Sequence, residues 1–466
     1  MADELVYADI TALRGLFGRK AVSPVEYVTD VLGRIEEADL AIGAFVTVDR
    51  DGALLAASLA EQTLRTEGPA AFRRLPLLGM AISIKDLIPT RGLRTTRGSL
   101  LHRDWVPDFD PPLVRRLREA GAVIVGKTNT PEFGWSGASG NRVVGRTRNP
   151  WVRDRTPGGS SAGAGAAVAA GFGVGSVGTD GAGSIRIPAS FCGVVGFKPS
   201  FSRIPYVPAS AELLSHAGPL TRTVADAALM YRAMAGPDPL DPWSLPVEQA
   251  EAGTAPLRIA WVRTLGAPAP DPQVEKACAA AVAVLAAAGH EVVETDWPFE
   301  DPYPILATIL AVADAAGHDE AADTLIDPGR RPIIEYGRGI SGTDHAEAIR
   351  LRGDYTGRVL RWMADYDVLA TPTVPGQPFP VALDQPTDTP VKGPAPWLAW
   401  TPATYPANLT GQPAISVPVG RTAEGCPVGL QLVGRWRADE SVLRIAGHLE
   451  QLQPWRDMYD DLAGGY

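Results

Sequence analysis

Cysteine is nearly absent. Cys192, Cys278 and Cys426 are the three in 466 residues, and they lie far apart. That spacing excludes a disulfide framework and offers no metal-binding cysteine pattern. Histidine is equally thin: six residues, scattered, with no HxxxH or HExxH on which a helical metal site could be built. No apolar run reaches the length of a membrane-spanning helix. The opening MADELVYADITALRGLF has no basic start followed by an apolar stretch, which argues against a secretory signal. Positive charge is the minority sign, with a formal net charge of −10, and that disfavours a nucleic-acid surface. The default expectation is a cytoplasmic protein without metal or cofactor, with neither nucleic acid nor membrane as a partner.

What is present suits a large folded core. Hydrophobic residues make up 45% of the chain and charged residues 21%, an ordinary globular balance. Ser23-Pro24-Val25-Glu26 carries the marks of a helix start. Ser23 serves as N-cap, Pro24 fits the first helical position, and Glu26 completes a capping box. Val25, Val28, Leu32 and Ile35 then fall on one face. Leu77–Asp86 reads as a buried strand, Thr95–Ser99 as a turn, Pro112–Ala120 as a helix and Gly121–Lys127 as a second apolar strand. That spacing suggests a βαβ unit. Thr130–Pro150 reads as loop and holds Phe133 and Trp135. Leu257–Asp296 repeats strand, helix and strand, residues 300–360 read as helical, and Asp367–Thr371 reads as a strand. Pro372–Pro396 is a proline-dense loop, long enough for a lid or a pocket wall. Ala414–Val419 and Val428–Gly434 read as strands joined by a turn at Glu424-Gly425, and Asp439–Leu452 closes the chain as a helix. No internal repeat or linker breaks the chain.

The stretch from Gly158 to Ser200 is a run of small residues with serines at Ser160, Ser161 and Ser184. Glycine-rich turns can expose a serine hydroxyl and surround it with backbone N–H donors. Tight packing alone can demand the same residues. Two motifs inside the run mislead. Gly173–Gly178 matches GxGxxG, but a dinucleotide site needs those glycines to open a helix after a strand, and Thr-Asp-Gly-Ala-Gly follows instead. Gly159–Gly163 matches GxSxG, which would make Ser161 a nucleophile. The elbow needs a strand just before it, and Asn149–Pro157, with two prolines, is a poor one. Lys85 ends the apolar segment at 77–86. By itself it reads as a lysine reaching the surface; the alternative is a buried amine with a lowered pKa.

Taken together, several separated pieces resemble the signature of the amidase signature family. They are GGSSAG at 158–163, GTDGAGSIRIP at 178–188, GVVGFKP at 193–199 and Ile84-Lys85-Asp86. Asn408–Ala414 and Pro427–Leu432 resemble its C-terminal part, so the likeness runs from about residue 5 to 455. The spacing between Ser160 and Ser184 is the one the family pattern requires. The resemblance implies an α/β fold: a single amidase-signature domain over 1–466 with a central mixed β-sheet covered by α-helices on both faces. Within it, an N-terminal helical segment would span about 5–70, the signature core about 75–200 and a C-terminal α/β part about 255–455.

The family works through a Ser–cisSer–Lys triad. Carried over by motif, Ser184 is the nucleophile, Ser160 the cis-serine that relays the proton, and Lys85 the base. The Gly159–Ser160 peptide would be cis. The backbone N–H groups of Gly181, Ala182, Gly183 and Ser184 would form the oxyanion hole, with Asp180 and Arg186 as a scaffolding pair and Thr179 in support of Ser160. Two residues depart from the pattern: Ala162 and Ala182 stand where the family usually has glycine, and Ala182 is tolerated only if its φ is negative or the cost of a left-handed conformation is met. No metal or cofactor is implied. The resemblance implies hydrolysis of amides, and of esters and carbamates (urethanes) in some members. The expected partners are therefore a small-molecule substrate and, if the chain is a homodimer, a second copy. Two alternatives stand beside it. One is the glutamine amidohydrolase component of a tRNA amidotransferase, although such members usually read SIRQP where this chain has Ser184-Ile185-Arg186-Ile187-Pro188. The other is a non-catalytic binding protein on the same fold. The substrate pocket is expected from 130–140, 300–345 and 372–400, with Phe133, Trp135, Tyr336, Phe379, Trp397 and Trp400 as its candidate aromatic walls.

Overall fold

Strands with apolar residues on both faces need cover on both sides, and the chain supplies it with helices. The computed structural model describes residues 5–247, 255–266, 269–317, 323–389, 393 and 395–463. Residues 1–4 of the opening run, 318–322 of the helical stretch, and 390–392 and 394 of the proline-dense loop lie outside the described residues. The strands are β1 (Phe45–Val48), β2 (Ala81–Lys85), β3 (Val123–Thr128), β4 (Gly140–Asn141), β5 (Gly145–Arg146), β6 (Gly175–Asp180), β7 (Val195–Lys198), β8 (His216–Thr221), β9 (Arg258–Trp261), β10 (Glu291–Glu294), β11 (Val368–Pro372), β12 (Ala414–Arg421) and β13 (Pro427–Gly434). Among the described residues, eleven of them form one mixed sheet in the order β1-β3-β2-β6-β8-β7-β12-β13-β11-β9-β10, and β4 and β5 make a separate ribbon.

β2 lies between β3 and β6 and is parallel to both, so Ile84 stands opposite Lys127 on one side and Val177 on the other. β6 then pairs antiparallel with β8, placing Asp180 opposite His216. Strand alternation decides which helix each side chain meets. On β13, Gln431 reaches Arg186 in the Arg186–Cys192 helix. Leu430 and Leu432 point the other way, into a core shared with Cys278 of the Pro272–Ala287 helix and Val442 of the Asp439–Leu452 helix. The sheet is thus covered on both faces. No helix of the described residues is long and apolar enough to cross a membrane.

The Pro24–Ile42 helix starts as its sequence indicates. Ser23 Oγ accepts from Glu26 N–H (3.1 Å), and Glu26 returns the bond to Ser23 N–H (2.8 Å). The Asp439–Leu452 helix has the boundaries read from the sequence. β2 is shorter than the apolar segment 77–86, because Leu77–Met80 is a turn in which Gly79 takes φ +78°. β1 and β8 were not legible. β8 reads His-Ala-Gly-Pro-Leu-Thr, a poor strand by propensity, yet it is held between β6 and β7.

The small-residue run has a packing cause. Every residue of the Ala162–Ala169 helix is buried, and Gly163 presses directly on backbone: a Cβ there would run into Ala44 O and Asn129 N. Gly163→Ala is therefore expected to cost about 1–3 kcal/mol. Gly353, exposed within the Gly342–Trp362 helix with nothing near its Cβ position, is the control, and Gly353→Ala should gain about 0.5–1 kcal/mol. Urea unfolding of both variants reads the pair; equal effects would remove the close-approach explanation.

Candidate active site

Lys85 closes β2 and is fully buried. Its Nζ donates to Thr179 Oγ1 on β6 at 2.8 Å and lies 2.6 Å from Ser160 Oγ. The parallel pairing of β2 with β6 brings these groups together. Lys85 is therefore no surface lysine. Burial pushes its pKa well below the ordinary 10.5, opposed in part by the negative charge of Asp180. A buried amine of this kind favours its neutral form, and with it a free lone pair.

Ser160 follows a cis Gly159–Ser160 peptide. Gly159 has no room for a side chain, since a Cβ would meet the carbonyl oxygen of Ala138. The next amide, Ser161 N–H, donates to Ser184 O at 3.2 Å and ties the two serine turns together. Ser161 Oγ is engaged elsewhere. It donates to Thr179 O (3.1 Å) and accepts from Thr179 N–H (3.3 Å), fully buried. The GxSxG match is thus structural, and the GxGxxG match runs into β6 rather than into a helix.

The turn that carries Ser184 hangs on Asp180. One carboxylate oxygen accepts from Gly183 N–H (2.7 Å), the other from Ile185 N–H (3.1 Å). Arg186 donates to both oxygens from Nε and Nη2, each at 2.9 Å, and the pair is completely buried. Arg186 also donates to Thr404 O, Gln431 Oε1 and Asn408 Oδ1. Burial by itself would raise the Asp180 pKa. The Arg186 charge and the bonds from Arg186 and Asn408 outweigh it and hold the carboxyl well below its usual range. This corrects one expectation. Gly183 N–H is bonded to a carboxylate and is not free to stabilise an oxyanion, and Gly183 does not line the cavity described next, whereas Gly181, Ala182 and Ser184 do. Gly183 has a conformational task instead: its φ is +125°, and a Cβ would strike Thr404 Oγ1. Ala182 is not among the residues of positive φ, so its methyl is accommodated. Thr179 differs from expectation in the group it supports, which is the Lys85 amine.

Ser160, Thr179 and Ser184 open onto a cavity of about 270 Å³. Phe133, Trp135 and Trp397 line it together with Leu87, Leu310 and Ile333. The other three aromatic candidates do not. Trp400 stacks on Phe191 and takes Phe379 edge-on (5.2 Å between centroids) in a separate apolar cluster. Tyr336 is 42% exposed on the Arg331–Gly339 helix, and Ile333, one turn earlier, faces the cavity in its place. The polar members Tyr206, Glu212, Ser215 and Asp314 were missed. They carry no motif, and only the fold gathers them. Asp314 is paired with Arg330, whose guanidinium caps the Phe133 ring at 4.5 Å. Among the described residues, no cluster of three or more His, Cys, Asp or Glu side chains is placed to hold a metal ion.

The amidase family model matches residues 26–443. The chain is 37% identical to an acylamidase of Rhodococcus erythropolis, over 94% of this chain and 93% of that one. It is 36% identical to one of the subunits of the glutamyl-tRNA(Gln) amidotransferase of Desulforapulum autotrophicum, over 97% and 98% of the two chains. The solved structure of a 6-aminohexanoate cyclic dimer hydrolase complexed with substrate superposes with a TM-score of 0.89 at 28% identity, covering 98% of this chain and all of the other.

Asp180→Asn leaves the buried Arg186 without its counter-charge and is expected to cost about 3–5 kcal/mol of stability. Because the Asp180 pKa in the folded state lies below the ordinary 3.8, the carboxylate's contribution is complete above that value and declines as the pH falls below it. The gap between wild type and variant in urea unfolding should therefore narrow only under acid. A gap independent of pH would show that the charge is not the anchor.

Proposed function

The chain belongs to the amidase family and is an amidase-type hydrolase of carbon–nitrogen bonds, and from that premise we propose that Ser184 is its nucleophile, Ser160 its relay and Lys85 its base. The observation that carries the reading is the buried Lys85 amine, lowered in pKa and 2.6 Å from the Oγ of Ser160, a residue that lines the same cavity as Ser184.

A serine hydroxyl is a weak nucleophile until its proton is taken. Neutral Lys85 keeps its N–H on Thr179 Oγ1 and accepts the Ser160 proton on its lone pair, while Ser160 takes the proton of Ser184. The Ser184 Oγ–carbonyl carbon bond forms, and the oxyanion gathers against the amides of the Gly181–Ser184 turn, Gly183 excepted. The intermediate collapses with cleavage of the C–N bond. The proton held on Lys85 returns through Ser160 to the leaving nitrogen, and the amine departs. Water then repeats the sequence on the acyl-enzyme, releasing the acid and restoring Ser184. The leaving atom enters only as a proton acceptor, so the same route extends to esters and carbamates.

Phe133, Trp135, Trp397 and Leu310 suit an apolar or aromatic group on the amide. The Ile187 that stands where glutamine amidohydrolase members usually have glutamine sets that alternative behind an acylamidase.

The tests are direct. Ser184→Ala should lower turnover of an aryl amide by at least about 10³-fold, with Lys85→Ala close behind. Since the base acts as neutral amine, kcat/KM should rise with pH along a limb centred below the ordinary lysine value of 10.5. Retained activity in Ser184→Ala would sink the assignment. In a panel of anilides, aliphatic amides, esters, carbamates and glutamine, the anilides should lead; ammonia release from glutamine as the fastest reaction would favour the amidotransferase reading.

A further inference from the structure

The substrate cavity continues past its aromatic wall. A second cavity of about 210 Å³ abuts it, and the two share Leu87, Phe133, Tyr206 and Ser210. The walls of the second are apolar, among them Ile88, Pro89, Leu113 and Val207, and Arg97 is its one charged lining residue.

Arg97 is placed like a residue awaiting an anion. Its backbone is anchored on both sides, N–H to Asp86 O (3.2 Å) and carbonyl to Phe133 N–H (2.8 Å). Its guanidinium lies over the Trp105 ring at 5.0 Å. The side chain is half-buried, and Nε is shielded with no hydrogen-bond partner. Among the described residues, no carboxylate stands within salt-bridge distance of it, whereas its neighbours Arg91 and Arg103 each have one. Asp86, whose charge acts on Arg97, accepts at Oδ2 from Thr96 N–H (2.9 Å) and from Thr96 Oγ1, and its Oδ1 has no hydrogen-bond partner. Behind the cavity wall the buried Lys127 amine, its pKa lowered by burial, donates to Ile88 O and to the hydroxyls of Thr90 and Thr95. Burial pushes the Arg97 pKa below its ordinary value, with Tyr206 and Asp86 compensating only in part. A guanidinium stacked on one face and unpaired at its edge offers the fork that a carboxylate fits.

We propose that the second cavity is a substrate subsite in which Arg97 receives a carboxylate, carried on the arm of the amide that passes Phe133 and Tyr206. The proposal rests on the assignment of Ser184 as nucleophile in the adjoining cavity. It adds a charged anchor to an otherwise apolar specificity.

The test uses matched pairs in which a methyl ketone replaces the carboxylate. On the acyl side, the mono-4-nitroanilides of glutaric and adipic acids are compared with their methyl-ketone counterparts. On the amine side, 4-acetamidobenzoate is compared with 4-acetamidoacetophenone. Wild type should prefer the carboxylate by about tenfold or more in kcat/KM on one of the two sides. Arg97→Met should erase that preference through KM, leave kcat nearly unchanged, and shift the ketone by less than about twofold. Arg97→Lys should recover part of it, and Arg97→Gln, checked by its melting temperature, serves if Arg97→Met does not fold. Calorimetry on Ser184→Ala reads the subsite without turnover: the carboxylate should bind about tenfold tighter than the ketone, and adding Arg97→Met should equalise them. If Ser184→Ala still turns over, the nucleophile assignment fails while calorimetry still judges the subsite. If wild type prefers no carboxylate on either side, or Arg97→Met weakens both members of a pair alike, the subsite is overturned.

Discussion

The site is built on one buried ion pair. Asp180 at the end of β6 and Arg186 at the start of the following helix enclose the Gly181–Ser184 turn, and both are fully out of water. Taking two charges out of water costs several kcal/mol each unless every lone pair and proton is matched. Here they are. Asp180 receives two backbone amides besides Arg186, and Arg186 reaches Thr404, Asn408 and Gln431. Those contacts join β6, the turn, the Arg186–Cys192 helix and β13 through one pair of side chains. The position of Ser184 follows from that closure, as does the loss of Gly183 N–H as a free donor.

The pair also shapes the electrostatics around Lys85. Desolvation drives the lysine toward neutrality and the Asp180 charge opposes it. Because Arg186 meets Asp180 along both carboxylate oxygens, much of that opposing field is answered locally, and desolvation prevails. A strongly bonded acid thus stands close to an amine whose pKa is nevertheless lowered. The same buried layer contains Lys198, also depressed by burial and donating to Gln412 O at 2.6 Å. Burial of a lysine is therefore not by itself a sign of catalysis in this fold. What sets Lys85 apart is a hydroxyl, Ser160, at 2.6 Å that also faces the cavity.

The walls of the cavity come from segments far apart in the chain: the 133–135 loop, the Tyr303–Ala316 and Arg331–Gly339 helices, and the Pro396–Trp400 turn. The chain is similar over nearly its whole length both to an acylamidase and to part of an amidotransferase. Substrate choice is then a matter of wall chemistry, here aromatic near Ser184 with a single cation, Arg97, beyond.

What the sequence determined by itself is what local chemistry enforces. The capping box at Ser23–Glu26 closes within four residues, so it was legible. So were the Asp439–Leu452 helix and the turn between β12 and β13, whose signals lie inside the elements they define. The motifs around Ser160, Ser184 and Lys85 were legible as a resemblance, because backbone approaches such as Gly159 on Ala138 O admit few residue types. Tertiary structure decided the rest. Lys85 reads as a surface lysine until the register of β2 against β6 buries it beside Thr179. Six aromatics looked alike in the chain, and only packing separated Phe133, Trp135 and Trp397 from Phe379, Trp400 and Tyr336. Gly183 N–H looked like an oxyanion donor until Asp180 took it. In each case the deciding partner lies on another segment, and desolvation and hydrogen bonding depend on what surrounds a group in space, which local sequence does not record.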